Sequence, residues 1–170
     1  RRAAYFPVVA AFDDAESLHF VTTDRVSAGI VELPAPWATS PGERALELRY
    51  DRDHPPAVQV LEPSPDWRGY DVVAVDLTNA GPVDLSLVLR IHDVTHDWTH
   101  ADRANLPLVI PARTRTTVRV ALDAVEHAPA ARPMDLARID NVMVFGRPPA
   151  GAGSLYVSGI RLERGPEPRP

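Results

Sequence analysis

The stretch Leu85-Ser86-Leu87-Val88-Leu89-Arg90-Ile91-His92-Asp93 decides how this chain is read. Leu85, Leu87, Leu89 and Ile91 alternate strictly, which is the period-two signature of a strand with one buried face. Ser86, Val88, Arg90 and His92 must then point the other way. The strand carries an arginine and a histidine out on that second face and runs into a loop holding His96, Asp97, Trp98, His100, Asp102, Arg103 and Asn105. Polar groups gathered around an aromatic ring make a binding surface. The rest of the chain reads as its scaffold.

Composition bounds the remaining possibilities. The 170 residues are enough for one domain with a full core, and 45% are hydrophobic. The formal net charge of −5 argues against nucleic acid or an anionic membrane surface as a partner. There is no cysteine, which excludes disulfides and thiolate chemistry. Every basic side chain is an arginine, whose planar fork suits bidentate polar recognition. No apolar run approaches the roughly 18–20 residues of a membrane span. The sequence begins Arg1-Arg2-Ala3-Ala4 without methionine, which fits a domain cut from a longer parent that followed a membrane helix or linker, and equally fits a processed terminus.

Outward from the key strand, apolar runs and turn signals recur at the spacing of a sandwich. Strands are expected over Phe6–Phe12, Val26–Leu33, Arg44–Tyr50, Ala57–Leu61, Tyr70–Leu77, Leu106–Ile110, Thr116–Leu122, Ile139–Phe145 and Leu155–Leu162. Only Asp123–His127 and Met134–Ala137 read as helical turns. The expected fold is all-β: a two-sheet antiparallel β-sandwich, most simply a jelly roll. One domain covers 1–164, and Gly165–Pro170 forms a disordered tail or linker. The core should include Leu46, Leu48, Val73, Val75, Leu87, Leu89, Val118 and Val144, and the domain is expected to be a monomer.

An ordered series of motifs resembles a known family. Asp66-Trp67-Arg68-Gly69-Tyr70-Asp71 heads an alternating strand, and Asn79 stands at a turn. Leu89–Asp93 and Asp102-Arg103-Ala104-Asn105 follow, then Arg132–Ile139 and the closing Leu155–Leu162. The series is similar to the galactose-binding-like jelly rolls of bacterial carbohydrate-binding modules. It also resembles the soluble domain that follows VanZ-like membrane segments, where an entry like Arg1–Pro7 precedes the sandwich. The resemblance implies a non-catalytic module that binds a polysaccharide or oligosaccharide outside the cytoplasm, on an exported or membrane-anchored parent. It also implies a structural Ca²⁺ near Asp13, Asp14 and Glu16. Two departures bear on this. Ser158-Gly159 stands where the pattern carries a carboxylate, which removes an oxygen ligand that calcium needs. Ala104 stands where the pattern has phenylalanine.

The expected ligand set is Arg90, His92, Asp93, His96, Trp98, Asp102, Arg103 and Asn105. Trp98 would stack on a sugar ring, Asp93, Asp102 and Asn105 would bond hydroxyls, and the arginines would hold acceptor oxygens or an acidic sugar's carboxylate. A competing reading keeps part of the set internal, with Arg90 or Arg103 bridged to Asp93 or Asp102 to pin the loop. Trp37 is a second exposed-platform candidate, whereas Trp67 reads as a core corner. His92, His96 and His100 sit at helical spacing that could hold a metal, but the strand alternation runs through Ile91 and Val94, Thr95, Trp98 and Thr99 are poor helix formers, so in a loop the spacing loses that meaning. Asp93, Asp97 and Asp102 could serve a glycosidase. Against an enzyme, the chain has no G-x-S-x-G, H-E-x-x-H or phosphate-loop motif. A structural or protein-interaction sandwich is the remaining alternative.

Overall fold

The computed structural model describes residues 8–23 and 26–165. The Arg1–Pro7 entry, the first residues of the Phe6–Phe12 strand and the tail beyond Gly165 lie outside them. Eleven strands are formed among the described residues: β1 Val8–Ala11, β2 Val21–Thr22, β3 Ser27–Glu32, β4 Arg44–Tyr50, β5 Ala57–Leu61, β6 Val72–Asn79, β7 Leu85–Asp93, β8 Ala104–Ile110, β9 Thr114–Ala121, β10 Ile139–Gly146 and β11 Gly153–Glu163. They make two antiparallel sheets. One runs β3-β4-β11-β6-β9 with β1 also pairing β11, and the other runs β2-β5-β10-β7-β8. The fold is the expected all-β sandwich.

The alternation seen in sequence is what closes the core. Leu85, Leu87, Leu89 and Ile91 of β7 face Val58, Val60, Val142 and Val144 within their own sheet and Leu46, Leu48, Val73, Val75 and Leu77 across the interface. All are buried. Trp67 is fully buried at one end and donates its indole N–H to the Ser64 carbonyl at 2.7 Å. Val118 differs from expectation: it packs against the core but is only partly buried, because β9 is the edge strand of its sheet.

Helix is scarce. Among the described residues a single α-helix, α1, spans Leu122–Glu126, close to the expected Asp123–His127. Met134–Ala137 is a turn instead, in which Asp135 Oδ1 accepts from the Ala137 amide and the Asp135 carbonyl from the Arg138 amide. The aspartate supplies locally the bonds a helix would have made. The short 3₁₀ helices Ala15–Phe20 and His100–Asp102 have no counterpart in the sequence reading.

The outer face of the six-stranded sheet satisfies itself. Arg161 meets Asp76 at 2.6 Å, Arg119 meets Glu163 at 2.9 Å, Arg115 meets Glu43 at 2.7 Å, and Glu47 accepts from Tyr156 and Ser154. The Arg115 hydrogen bonds hold the Glu43 carboxyl down at about 2. The outer face of the five-stranded sheet is built differently.

Candidate functional site

Residues paired directly across an antiparallel ladder point to the same face. Following β7 across its sheet, Arg90 is opposite Met143 of β10 and Asn105 of β8; Met143 is opposite Gln59 of β5, and Gln59 is opposite Thr22 of β2. The row Thr22–Gln59–Met143–Arg90–Asn105 therefore crosses all five strands on the outer face. On one side of it lie Leu61, Asn141 and His92. On the other lie Ala57, Phe145, Val88 and Pro107. Amide, guanidinium and imidazole groups thus alternate with half-buried apolar surface. Such a surface can bond hydroxyls and also pack against the C–H faces of a sugar.

Trp98 stands at the rim of this face. Its side chain is among the most exposed large apolar groups, at 76%, and its backbone holds φ at 70°. That left-handed conformation is uncommon for a bulky residue and is costly. The indole leans on a stacked imidazole pair: His92 and His96 have ring centroids 4.4 Å apart and 14° between planes, and Trp98 lies 5.6 and 5.3 Å from them. His92 therefore leaves the strand outward, as expected, but is buried beneath this cover. Burial first, then the fields of His96 and Arg90, pushes His92 down to about 4, so its 3.8 Å approach to Asp140 is not an ion pair at neutral pH.

The structure divides the expected ligand set. Asp93 and Asp102 are internal, and the arginine between them is Arg132, not Arg90 or Arg103. Arg132 donates to Asp93 at 2.6 and 2.9 Å and to Asp102 at 2.8 and 2.9 Å. Asp93 also accepts from the Asp135 amide and from the amide and hydroxyl of Thr95. Burial raises the Asp93 carboxyl, but the Arg132, Asp135 and Thr95 donors outweigh it and hold the group well below the usual carboxylate range. Asp102 is lowered as well, chiefly by Arg132 and then by the Asp97 amide. His96 is internal too, with Nδ1 2.7 Å from the Asp102 carbonyl. These three residues brace the loop from within.

Arg90, Arg103, Asn105, His92 and Trp98 remain at the face. Arg103 donates through Nε to Asn105 Oδ1 at 3.0 Å, and Asn105 donates to the His100 carbonyl at 3.1 Å. Arg90 Nε is buried without a partner, and burial, followed by the field of Arg103, lowers the Arg90 guanidinium. Trp37 is not a second platform: it packs beside Leu33, Ala45 and Tyr156 on the other sheet. Gln59, Asn141 and Met143 escaped the sequence reading, although the alternation of Ala57–Leu61 and Ile139–Phe145 assigned their face. Arg132 lay inside a quoted motif with no role attached.

Neither metal expectation is met by a preformed ligand set. Asp14 caps the 3₁₀ helix through the Ser17 amide and hydroxyl. Asp13 lines a polar depression of about 350 Å³ with Glu43, Asp76 and Ser158, where Glu43 and Asp76 are already bound to Arg115 and Arg161. Asp13, Asp14 and Glu16 do not bring ligand atoms within 4.8 Å of one another, and neither do His92, His96 and His100. His96, Asp97 and Asp102 do approach that closely, with Asp102 also bound to Arg132.

No protein-family model matches the chain, and no curated protein matches it in sequence. Solved structures do. An exo-β-agarase is 12% identical over 94% of this chain, with a TM-score of 0.73. The chain spans 25% of that agarase. A family 11 carbohydrate-binding module from Clostridium thermocellum, in complex with a β-1,3-1,4-mixed-linked tetrasaccharide, is 15% identical over 87% of this chain and 89% of the module, with a TM-score of 0.60. A module specific for non-crystalline cellulose, CBM28, is 12% identical over 94% and 95% of the two chains, with a TM-score of 0.63. Its fold is the jelly-roll sandwich of these modules. At such identities the likeness establishes architecture, and the chemistry has to be argued from the face itself.

Proposed function

We propose that this chain is a non-catalytic carbohydrate-binding module that lays a polysaccharide across the outer face of its five-stranded sheet. The observation that carries the reading is the unbroken row Thr22–Gln59–Met143–Arg90–Asn105, closed at the rim by the exposed Trp98. Trp98 stacks on one ring, while Gln59, Asn105 and Asn141 bond hydroxyls. Met143, Phe145 and Val88 supply apolar contact. Two modules of like fold, described as bound to a mixed-linked tetrasaccharide and to β-1,4-galactotriose, support the assignment.

The pairing of two candidate carboxylates speaks against a hydrolytic role. Glycoside hydrolysis needs a pair of carboxyl groups facing the sugar, and Asp93 and Asp102 face Arg132 instead. The order of motifs from Asp66 to Leu162 supports a galactose-binding-like jelly roll. The same resemblance supports placement outside the cytoplasm on a larger exported or membrane-anchored parent, VanZ-like segments among the candidates. No described helix is long and apolar enough to cross a membrane, so an anchor of that kind would have to belong to other parts of the parent.

A glycan array followed by calorimetry on the wild type, Trp98→Ala and Gln59→Ala tests the proposal. Binding to a polysaccharide that both substitutions weaken supports it. Absence of binding to any glycan, or equal binding by both variants, would transfer the face to a protein-interaction role.

A further inference from the structure

We infer that the ligand supplies the anion that Arg90 and Arg103 lack, so that the face selects an acidic polysaccharide carrying carboxylate or sulfate-ester groups. This rests on the carbohydrate-binding reading above and narrows it. Elsewhere in the described residues, half-buried arginines have carboxylates: Arg115 has Glu43, Arg132 has Asp93 and Asp102, and Arg161 has Asp76. Arg90 has none. Its Nε is buried without a partner, and the charge that acts on it is that of Arg103, a second cation. Arg103 in turn bonds a neutral amide, Asn105.

Two like charges on a partly dehydrated sheet face raise the free energy of the empty site, because burial without a counterion penalises the charged form. An incoming carboxylate or sulfate relieves both effects and matches the guanidinium fork in bidentate fashion. None of the nearby acids bonds either arginine. Asp93 and Asp102 are held by Arg132, Asp97 accepts from Thr99, and Asp140, bulged out of β10, lies against His92. Arg90 and Arg103 thus stay without a carboxylate partner on a chain whose formal net charge is −5.

The test titrates the whole chain with polygalacturonate (carboxylates), carrageenan (sulfate esters), and agarose and mixed-linked β-glucan (neutral), at low and high salt. The expected result is binding to one of the two acidic polymers at least about tenfold tighter than to either neutral one, and weaker in high salt. Whichever acidic polymer binds names the group. R90Q and R103Q should each weaken that binding about tenfold or more and flatten its dependence on salt. R90K, which keeps the charge but loses the fork, should fall between wild type and R90Q. Melting curves for every variant confirm that folded protein is compared. Equal or tighter binding to the neutral polymers, or unchanged acidic binding by folded R90Q and R103Q, overturns the inference and leaves the carbohydrate reading intact. Binding to none of the four overturns both.

Discussion

Removing the Arg132 guanidinium would break the loop that presents Trp98. Arg132 makes four hydrogen bonds to two carboxylates, one of which, Asp93, has a fully buried side chain. Arg132→Ala therefore leaves a buried charge behind, and stranding one partner of such a pair costs roughly 3–5 kcal/mol. Two features place the value at the lower end. Arg132 is 30% exposed, and Asp93 keeps the Asp135 amide and both Thr95 donors. A loss of about 3 kcal/mol follows. With an unfolding entropy of about 2.1 cal/mol/K per residue over 170 residues, the melting temperature should fall by about 8 °C. Asp93→Asn added to Arg132→Ala should restore part of the loss, because the stranded charge is gone. The pH dependence has a definite sign. Asp93 and Asp102 are held below their ordinary values when folded, so the stabilisation is complete above about pH 4, where the unfolded carboxyls ionise, and is lost as the pH falls further. The gap between wild type and Arg132→Ala should thus be widest near neutrality and narrow in acid. Urea denaturation followed by tryptophan fluorescence at pH 7 and pH 3 measures both quantities. A loss below about 1 kcal/mol at pH 7, or a gap that stays constant in acid, refutes the account.

Trp98→Gly should abolish glycan binding while shifting the melting temperature by less than about 3 °C, since glycine accepts the positive φ without strain; a large destabilisation would mean the indole is structural. His92 binds its proton only near pH 4 when folded, whereas the unfolded chain protonates at about 6.5, so wild-type stability should fall between those values by up to about 3 kcal/mol. His92→Phe should flatten that slope in a pH series of melting curves, and an unchanged slope would assign it to other groups. Asn79 is fully buried, accepts from the Tyr50 hydroxyl and the Gly81 amide, and donates to the carbonyls of Val83, Ile110 and Pro111. Asn79→Ala leaves several of these groups unpaired and should cost about 3 kcal/mol by chemical denaturation; a value near zero would show that water replaces them. A chelator should leave the melting temperature unchanged, because Glu43 and Asp76 already hold arginines beside Asp13 and Ser158. A fall would reveal a bound ion.

The sequence by itself determined the sandwich and the orientation of β7. Period-two alternation is a local property, so Leu85–Ile91, Arg44–Tyr50 and Ala57–Leu61 announced their strands, and Arg90 and His92 their outward face, without knowledge of any neighbour. The exposure of Trp98 and the burial of Trp67 were also legible from the residues beside each, whereas the packing of Trp37, expected as an exposed platform, was not. Which charges stay inside was decided only by tertiary structure. Asp93 and Asp102 look like ligand groups until Arg132, which is 39 and 30 residues away, is folded between them. The row Gln59–Met143–Arg90–Asn105 likewise exists only once the strand order and register are fixed. Pairing a charge depends on distance through space, and alternation along a chain carries no information about which strand will lie alongside.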